Sequence, residues 1–231
     1  MSTVLALLPE LTDVNGDAQN AAVLARRARW AGFDVTVSPV HEGERPPASP
    51  LAVVIGSTTD PSLPRLLAGL AALRDDLAAW IEAGIPVLAV GTGLEALARG
   101  IRLPDGRLDG LDLVPGDAEP LAARVTGDLV VAAAEGSLVG YENHARGLRL
   151  EPGVVPLGTV TRGVSDGRGV DGVRHGSIIG TRLHGPVLAK NPALADAILT
   201  AALGRPVVPK GAAAAAADAA AARIRAALLA S

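Results

Sequence analysis

The chain has no cysteine among its 231 residues. That absence excludes disulfides, thiolate metal sites and any reaction that begins with a sulfur nucleophile. Aromatic side chains are nearly as scarce: Trp30, Phe33, Trp80 and Tyr141 are all of them. Base-stacking platforms need such rings, and a net charge of −3 with a pI near 5.8 lacks the basic balance of a nucleic-acid binder. No apolar run reaches the ~20 residues that span a bilayer. The apolar start from Met1 to Pro9 has no basic leader and reads as a first strand, not a signal peptide. These absences predict a cytoplasmic protein without a membrane span. What the chain does have is aliphatic bulk. About half of it is hydrophobic (49%), so Ala, Val, Leu and Ile must pack the core. The length suits one α/β domain or two small ones.

Strand and helix signals alternate through the first hundred residues. Residues 3–8, 33–37, 51–55 and 85–90 are short apolar runs bounded by turn residues, the pattern of buried strands. Between them, 17–31 and 63–83 have helical spacing and end at Gly32 and Gly84, and 94–98 begins another helix. Such alternation predicts βαβ units and a parallel sheet. Residues 41–50, rich in Pro, Glu and Gly, form a loop. From 101 to 180 the texture changes to short β-like runs at 129–132, 138–141 and 178–180 among Gly, Asp and Pro, which suggests strands and long loops extending the sheet antiparallel. Residues 194–203 read as a last core helix. Residues 206–231 are alanine-rich and predict a helical or partly frayed tail, dividing the chain into 1–205 and 206–231.

Four stretches carry chemical interest. Asn15-Gly16-Asp17-Ala18-Gln19-Asn20 follows the first strand, and Asp17 suits a helix N-cap. Ile85-Pro86-Val87-Leu88-Ala89-Val90-Gly91-Thr92-Gly93 is a strand, tight turn and helix start, the geometry that lifts a nucleophile clear of a sheet. Its apex, Gly91, has no side chain. The same turn fits a second reading, a dinucleotide fingerprint Gly91-x-Gly93-x-x-Ala96 with Asp109 or Asp112 as the ribose acid. Gly140-Tyr141-Glu142-Asn143-His144 predicts a hydrogen-bonded corner at a strand end, because all three polar groups need partners if buried. Thr181-Arg182-Leu183-His184-Gly185-Pro186 ends a strand with a histidine placed as a general base. His41 and His175 sit in polar loops and read as solvated. No spacing of His and carboxylates suggests a metal site.

Taken in order, these stretches, together with Arg124-Val125-Thr126-Gly127-Asp128 and Lys190-Asn191-Pro192, resemble the CobB/CobQ-like class I glutamine amidotransferases from about residue 5 to residue 203. The resemblance is nearest to the branch that amidates the peptidoglycan stem peptide beside a Mur-ligase-like partner. It implies an α/β, flavodoxin-like, mostly parallel sheet flanked by helices, no cofactor and no metal. It implies a glutamine site in which an elbow cysteine attacks the amide, a histidine matching His184 moves the proton, and an arginine matching Arg124 holds the substrate carboxylate. It also implies a heterodimer with the Mur-ligase-like, MurT-type subunit.

This sequence departs from that pattern where it matters most. The family's Cys-Gly-Gly-Tyr-Gln reads Gly91-Thr92-Gly93-Leu94-Glu95, and its glycine-rich oxyanion loop, Gly-Gly-Gly-x-Asp, reads Gly56-Ser57-Thr58-Thr59-Asp60. Loss of a covalent nucleophile costs about 10⁶ in rate in a protease example. The resemblance therefore implies a degenerate subunit, with glutamine bound but not cleaved. The alternatives are an active subunit rerouted through Thr92 or through free ammonia, and a nucleotide-binding module at the Gly91 turn.

Overall fold

The computed structural model describes residues 2–230, so Met1, read above as part of the first strand, and Ser231, at the end of the tail, lie outside the described residues. In chain order the first half contains β1 (Ser2–Leu7), α1 (Pro9–Thr12), a 3-10 turn (Asp17–Gln19), α2 (Asn20–Trp30), β2 (Val35–Val40), β3 (Ala52–Ile55), α3 (Leu63–Ala71), α4 (Arg74–Glu82), β4 (Val87–Val90) and α5 (Thr92–Leu97). The second half contains β5 (Ala98–Leu103), β6 (Gly106–Asp109), β7 (Val114–Ala133), β8 (Gly136–Leu150), β9 (Gly158–Arg162), β10 (Val170–Asp171), β11 (Val173–His175), β12 (Ile178–Thr181), α6 (Val187–Lys190), α7 (Pro192–Leu203) and α8 (Ala212–Ala230).

The first sheet has the order β11-β12-β4-β3-β1-β2. All its neighbours pair parallel except β11 with β12. β3 and β4 are buried at every position, as strands covered by helices on both faces must be. One apolar cluster joins Leu5, Val53 and Ile55 to Leu66, Leu70, Leu77 and Trp80; the other joins Val4, Val54 and Val90 to Leu24, Leu188 and Ile198. Each fully buried leucine in them contributes about 1.5–3 kcal/mol relative to exposure.

Three expectations about elements are revised or narrowed. The segment 63–83 is two helices with a break at Ala72-Leu73, which lets Leu70 and Trp80 both face the core. Asp75 and Asp76 then fall in the first turn of α4, where carboxylates meet the positive end of the helix dipole. The expected antiparallel extension of the first sheet by the region 101–180 is confined to β11, which pairs antiparallel with β12 at its edge. The rest forms a second sheet, β10-β9-β7-β5-β6, with β8 paired to β7. Its centre is one long β7–β8 hairpin; Gly and Pro interrupt the apolar alternation, and the backbone ladder shifts register once, between Pro120 and Val125, before resuming. Of the two readings of the tail, helical or partly frayed, the helical one holds, and the helix is docked. Ala214 and Ala221 are buried, Arg27 forks to Asp196 and Asp218, and Arg225 donates to Asn191 Oδ1 at 2.7 Å. No helix among the described residues is long and apolar enough to cross a membrane.

Candidate active site

The parallel strands end on one edge, and the chemistry collects there, as it does at the carboxyl ends of open α/β sheets. β1 leads to Asp17, β3 to Gly56 and Ser57, β4 to Gly91, and β12 to His184. β4 and β12 are adjacent, and Gly91 N–H donates to Thr181 O at 3.0 Å. Gly91 and His184, 93 positions apart in sequence, are thereby brought side by side. From the second sheet, the β7–β8 hairpin closes the other wall. The ladder is interrupted between Pro120 and Val125, and Arg124 stands in that irregularity. The result is a cavity of about 290 Å³ lined by Asn15, Ser57, Thr58, Asp60, Gly91, Thr92, Glu95, Arg124, Asn143, His144, Arg146 and His184, among others.

Gly91 adopts φ 56° and ψ −120°, a conformation that strains any residue with a Cβ. A Cβ built there would lie 2.6 Å from His184 Cε1, 3.4 Å from His184 Nε2 and 2.9 Å from Ser57 Cβ. The histidine thus faces the apex directly, and Ser57 crowds it from the neighbouring loop. His184 is buried, at 1% exposure. Its Nδ1 lies 2.7 Å from Asp17 Oδ2. A carboxylate only accepts, so Nδ1 carries the proton and, in the neutral ring, Nε2 presents a lone pair. Nε2 has no hydrogen-bond partner among the described residues. The backbone holds the histidine as well: His184 N–H donates to Tyr141 O at 2.9 Å, and the two rings stack obliquely with centroids 5.6 Å apart. Lys190 Nζ sits 5.0 Å from the centre of the Tyr141 ring, and burial lowers its pKa.

Asp17 is not a helix cap. Gly16 occupies the cap position, no side-chain cap bond is made, and Asp17 is fully buried between His184 and the Ser57 hydroxyl, which donates to it. The sequence reading missed this partnership. A carboxylate in the first βα loop, on the edge where a candidate base also ends a strand, was the available signal.

The other hydroxyls turn inward. Thr92 Oγ1 accepts from Thr58 N–H at 2.6 Å and lies 3.2 Å from Thr58 O, to which it donates. It is committed to the loop and not offered to His184. The nucleotide reading gains no support either. Asp109 is paired with Gly100 at the edge of the second sheet and bound to Arg107, away from the first-sheet edge that carries Gly91. A Cβ at Gly93 would meet Gly56 O at 2.4 Å, so this glycine serves close backbone packing.

Beneath the cavity lies a charged lattice that sequence reasoning did not anticipate. Glu95 accepts from Arg146 Nε at 2.7 Å and from Arg182 Nη1 at 2.6 Å; Arg146 also donates to Asp60 at 2.6 Å, and Arg182 to Asp166 at 3.2 Å. Arg182 and Glu95 have side chains exposed by 0% and 1%. The Arg146 hydrogen bond holds the Asp60 carboxyl below its ordinary pKa. Burial raises both Asp166 and Asp171. Glu142 and His144 bond each other inside β8, not at its end, while Asn143, on the opposite face of the strand, bonds Arg124 and Asn15. Burial works to raise Glu142, and the donors His144, Ser165 N–H and Val164 N–H outweigh it, so its pKa is lowered. Burial lowers His144, whose Nε2 is 3.3 Å from Glu142 Oε2. Arg124 is exposed, lines the cavity, and donates from Nε at 3.2 Å and Nη2 at 2.7 Å to Asn143 Oδ1, its one side-chain partner among the described residues, which leaves Nη1 unengaged by them. His41, read as solvated, pairs with Glu10 at 2.8 Å.

The sequence model of the CobB/CobQ-like glutamine amidotransferase domain matches residues 7–192. The chain is 28% identical over 210 residues to the GatD subunit of lipid II isoglutaminyl synthase (glutamine-hydrolyzing) from Staphylococcus aureus strain N315, covering 90% of this chain and 86% of that protein. Two solved structures from Thermotoga maritima share the fold. A chain of the PurLQS structure aligns at a TM-score of 0.55 with 11% identity, over 79% of this chain and 87% of that one. A glutamine amidotransferase aligns at 0.53 with 14% identity, over 85% and 81%.

Proposed function

Because the chain belongs to the CobB/CobQ-like glutamine amidotransferase family, we propose that its cavity holds glutamine without cleaving it, in a subunit that docks to a Mur-ligase-like partner in amidation of the peptidoglycan stem peptide. One observation carries this reading: the elbow apex is Gly91, with His184 closed against it. A proton acceptor faces a position with nothing to deprotonate. Around it, binding groups remain. Arg124 offers a planar fork suited to a carboxylate, and Nε2 of His184 can accept from an amide NH₂. The likeness to the GatD subunit supports the choice of partner class and acceptor.

Isotope-labelled glutamine supplied to the purified, unmodified protein tests it. No glutamate above the buffer level is expected, together with a rise in melting temperature on adding glutamine. Turnover at an ordinary enzymatic rate would overturn the proposal. Co-expression with a Mur-ligase-like subunit is expected to yield a 1:1 complex whose amidation runs on ammonium salts and not on glutamine.

A further inference from the structure

We propose that Thr92 switches off an oxyanion-type donor of this site, so that inactivity has two independent causes and not the missing sulfur alone. The inference rests on the reading of the cavity as a glutamine site. An elbow site stabilises the developing oxyanion with backbone N–H groups, one from the residue after the apex and one from the loop that follows a neighbouring strand. Here that loop follows β3, which pairs with β4, and Thr58 lies in it beside Gly91 and His184 on the cavity wall. Its N–H is not free. It donates to Thr92 Oγ1 at 2.6 Å, while the same hydroxyl donates back to Thr58 O at 3.2 Å.

The two bonds brace each other. The hydroxyl proton goes to the carbonyl, which turns an oxygen lone pair toward the amide. A substrate oxygen could take the Thr58 N–H only by displacing an internal acceptor already in place. Thr92 follows the apex directly, so the lock sits on the same turn as the empty nucleophile position. Ser57 adds a steric obstacle, since its Cβ is 2.9 Å from where a Cβ at residue 91 would lie.

The test uses the full chain carrying Gly91→Cys and Ser57→Gly, which supplies the thiol and removes the Ser57 side of its crowding, leaving the His184 ring to shift. Into it go Thr92→Val, isosteric but without the hydroxyl, and Thr92→Ser, which keeps it. Glutamine hydrolysis is expected to rise about 10²-fold in kcat with Thr92→Val at little change in KM, the scale of one oxyanion donor. Thr92→Ser is expected to stay at the parent rate. Equal kcat in all three, a serine variant as fast as the valine one, or a change confined to KM would overturn the proposal. Amide hydrogen exchange supplies a second measurement that needs no restored activity. In the otherwise unmodified chain, Thr58 N–H is expected to be protected, and Thr92→Val to release it; unchanged protection also refutes the lock. Thermal shift with glutamine separates the two claims: if glutamine stabilises no variant, the glutamine reading fails, while Thr58 exchange still decides on Thr92.

Discussion

On the His184 wall of the cavity, the ring, its carboxylate partner and the strand behind them are bonded at several points. On the Gly91 wall the chain offers a bare apex and hydroxyls already engaged, Thr92 by the Thr58 backbone and Ser57 by Asp17. The two walls differ in how firmly the fold holds them. His184 anchors β8 through Tyr141, and Asp17 ties the first loop to the third strand through Ser57. Removing either would leave a buried polar partner unsatisfied, which costs about 1–3 kcal/mol. An elbow side chain, by contrast, faces the cavity and is strained, so its loss costs the fold little. The placement of His184 is therefore explained by packing and does not by itself argue for catalysis.

The largest expected effect tests whether both walls stand on one base. Glu95 bridges Arg146 and Arg182 beneath them. Glu95→Ala should leave two buried guanidiniums short of a partner and cost about 3–5 kcal/mol in urea unfolding. A loss below about 1 kcal/mol would mean that the walls are held separately. Next in size is a change on the bare wall. Gly91→Ala places a Cβ at a positive φ and against His184, and should destabilise by about 1–3 kcal/mol. A neutral result would show that the histidine wall yields, contrary to its several anchors.

The smallest effect is a pH dependence on the hairpin side. His144 has a folded pKa below its unfolded value of about 6.5, chiefly because burial disfavours its charged form. The unfolded chain then binds the proton more readily. The stability from His144 is fully present above that unfolded value and declines as pH falls from it toward the folded one. Glu142 and Asp166 pull the histidine upward and Arg182 pushes it down, so the decline is shared by a cluster. Melting temperatures between pH 7 and pH 5 should fall, and His144→Gln should flatten that stretch. An unchanged slope would assign the acid sensitivity to other groups.

Much of this was legible in the residues. Continuous Val, Leu, Ile and Ala runs bounded by Gly and Pro located the parallel strands, since a strand covered on both faces has no polar alternation to hide. The Gly91 turn and the His184 segment were visible because their motifs are local. Asp17 was misread because its neighbours suit a helix cap equally well; its partner lies 167 positions away. The charged lattice was invisible for the same reason, with Glu95, Arg146, Asp166 and Arg182 drawn from four separated segments. The long hairpin was mistaken for short strands because one of its faces meets solvent and tolerates Gly, Asp and Pro. The tail's docking depended on Asp218 and Arg225 finding Arg27 and Asn191, while its alanines reveal only a helix.

The order of residues alone determined that no cysteine of this chain can act as a nucleophile, that the elbow has an empty apex, and that a parallel sheet carries it, because composition and short-range periodicity suffice for each. Only the tertiary structure decided that His184 leans on Asp17 and faces that apex, that Thr92 takes the Thr58 amide, and that buried charges neutralise one another under the cavity. Those are contacts between distant segments. Their energies depend on distance, burial and hydrogen-bond direction, none of which a linear chain contains until strands β4 and β12 lie side by side.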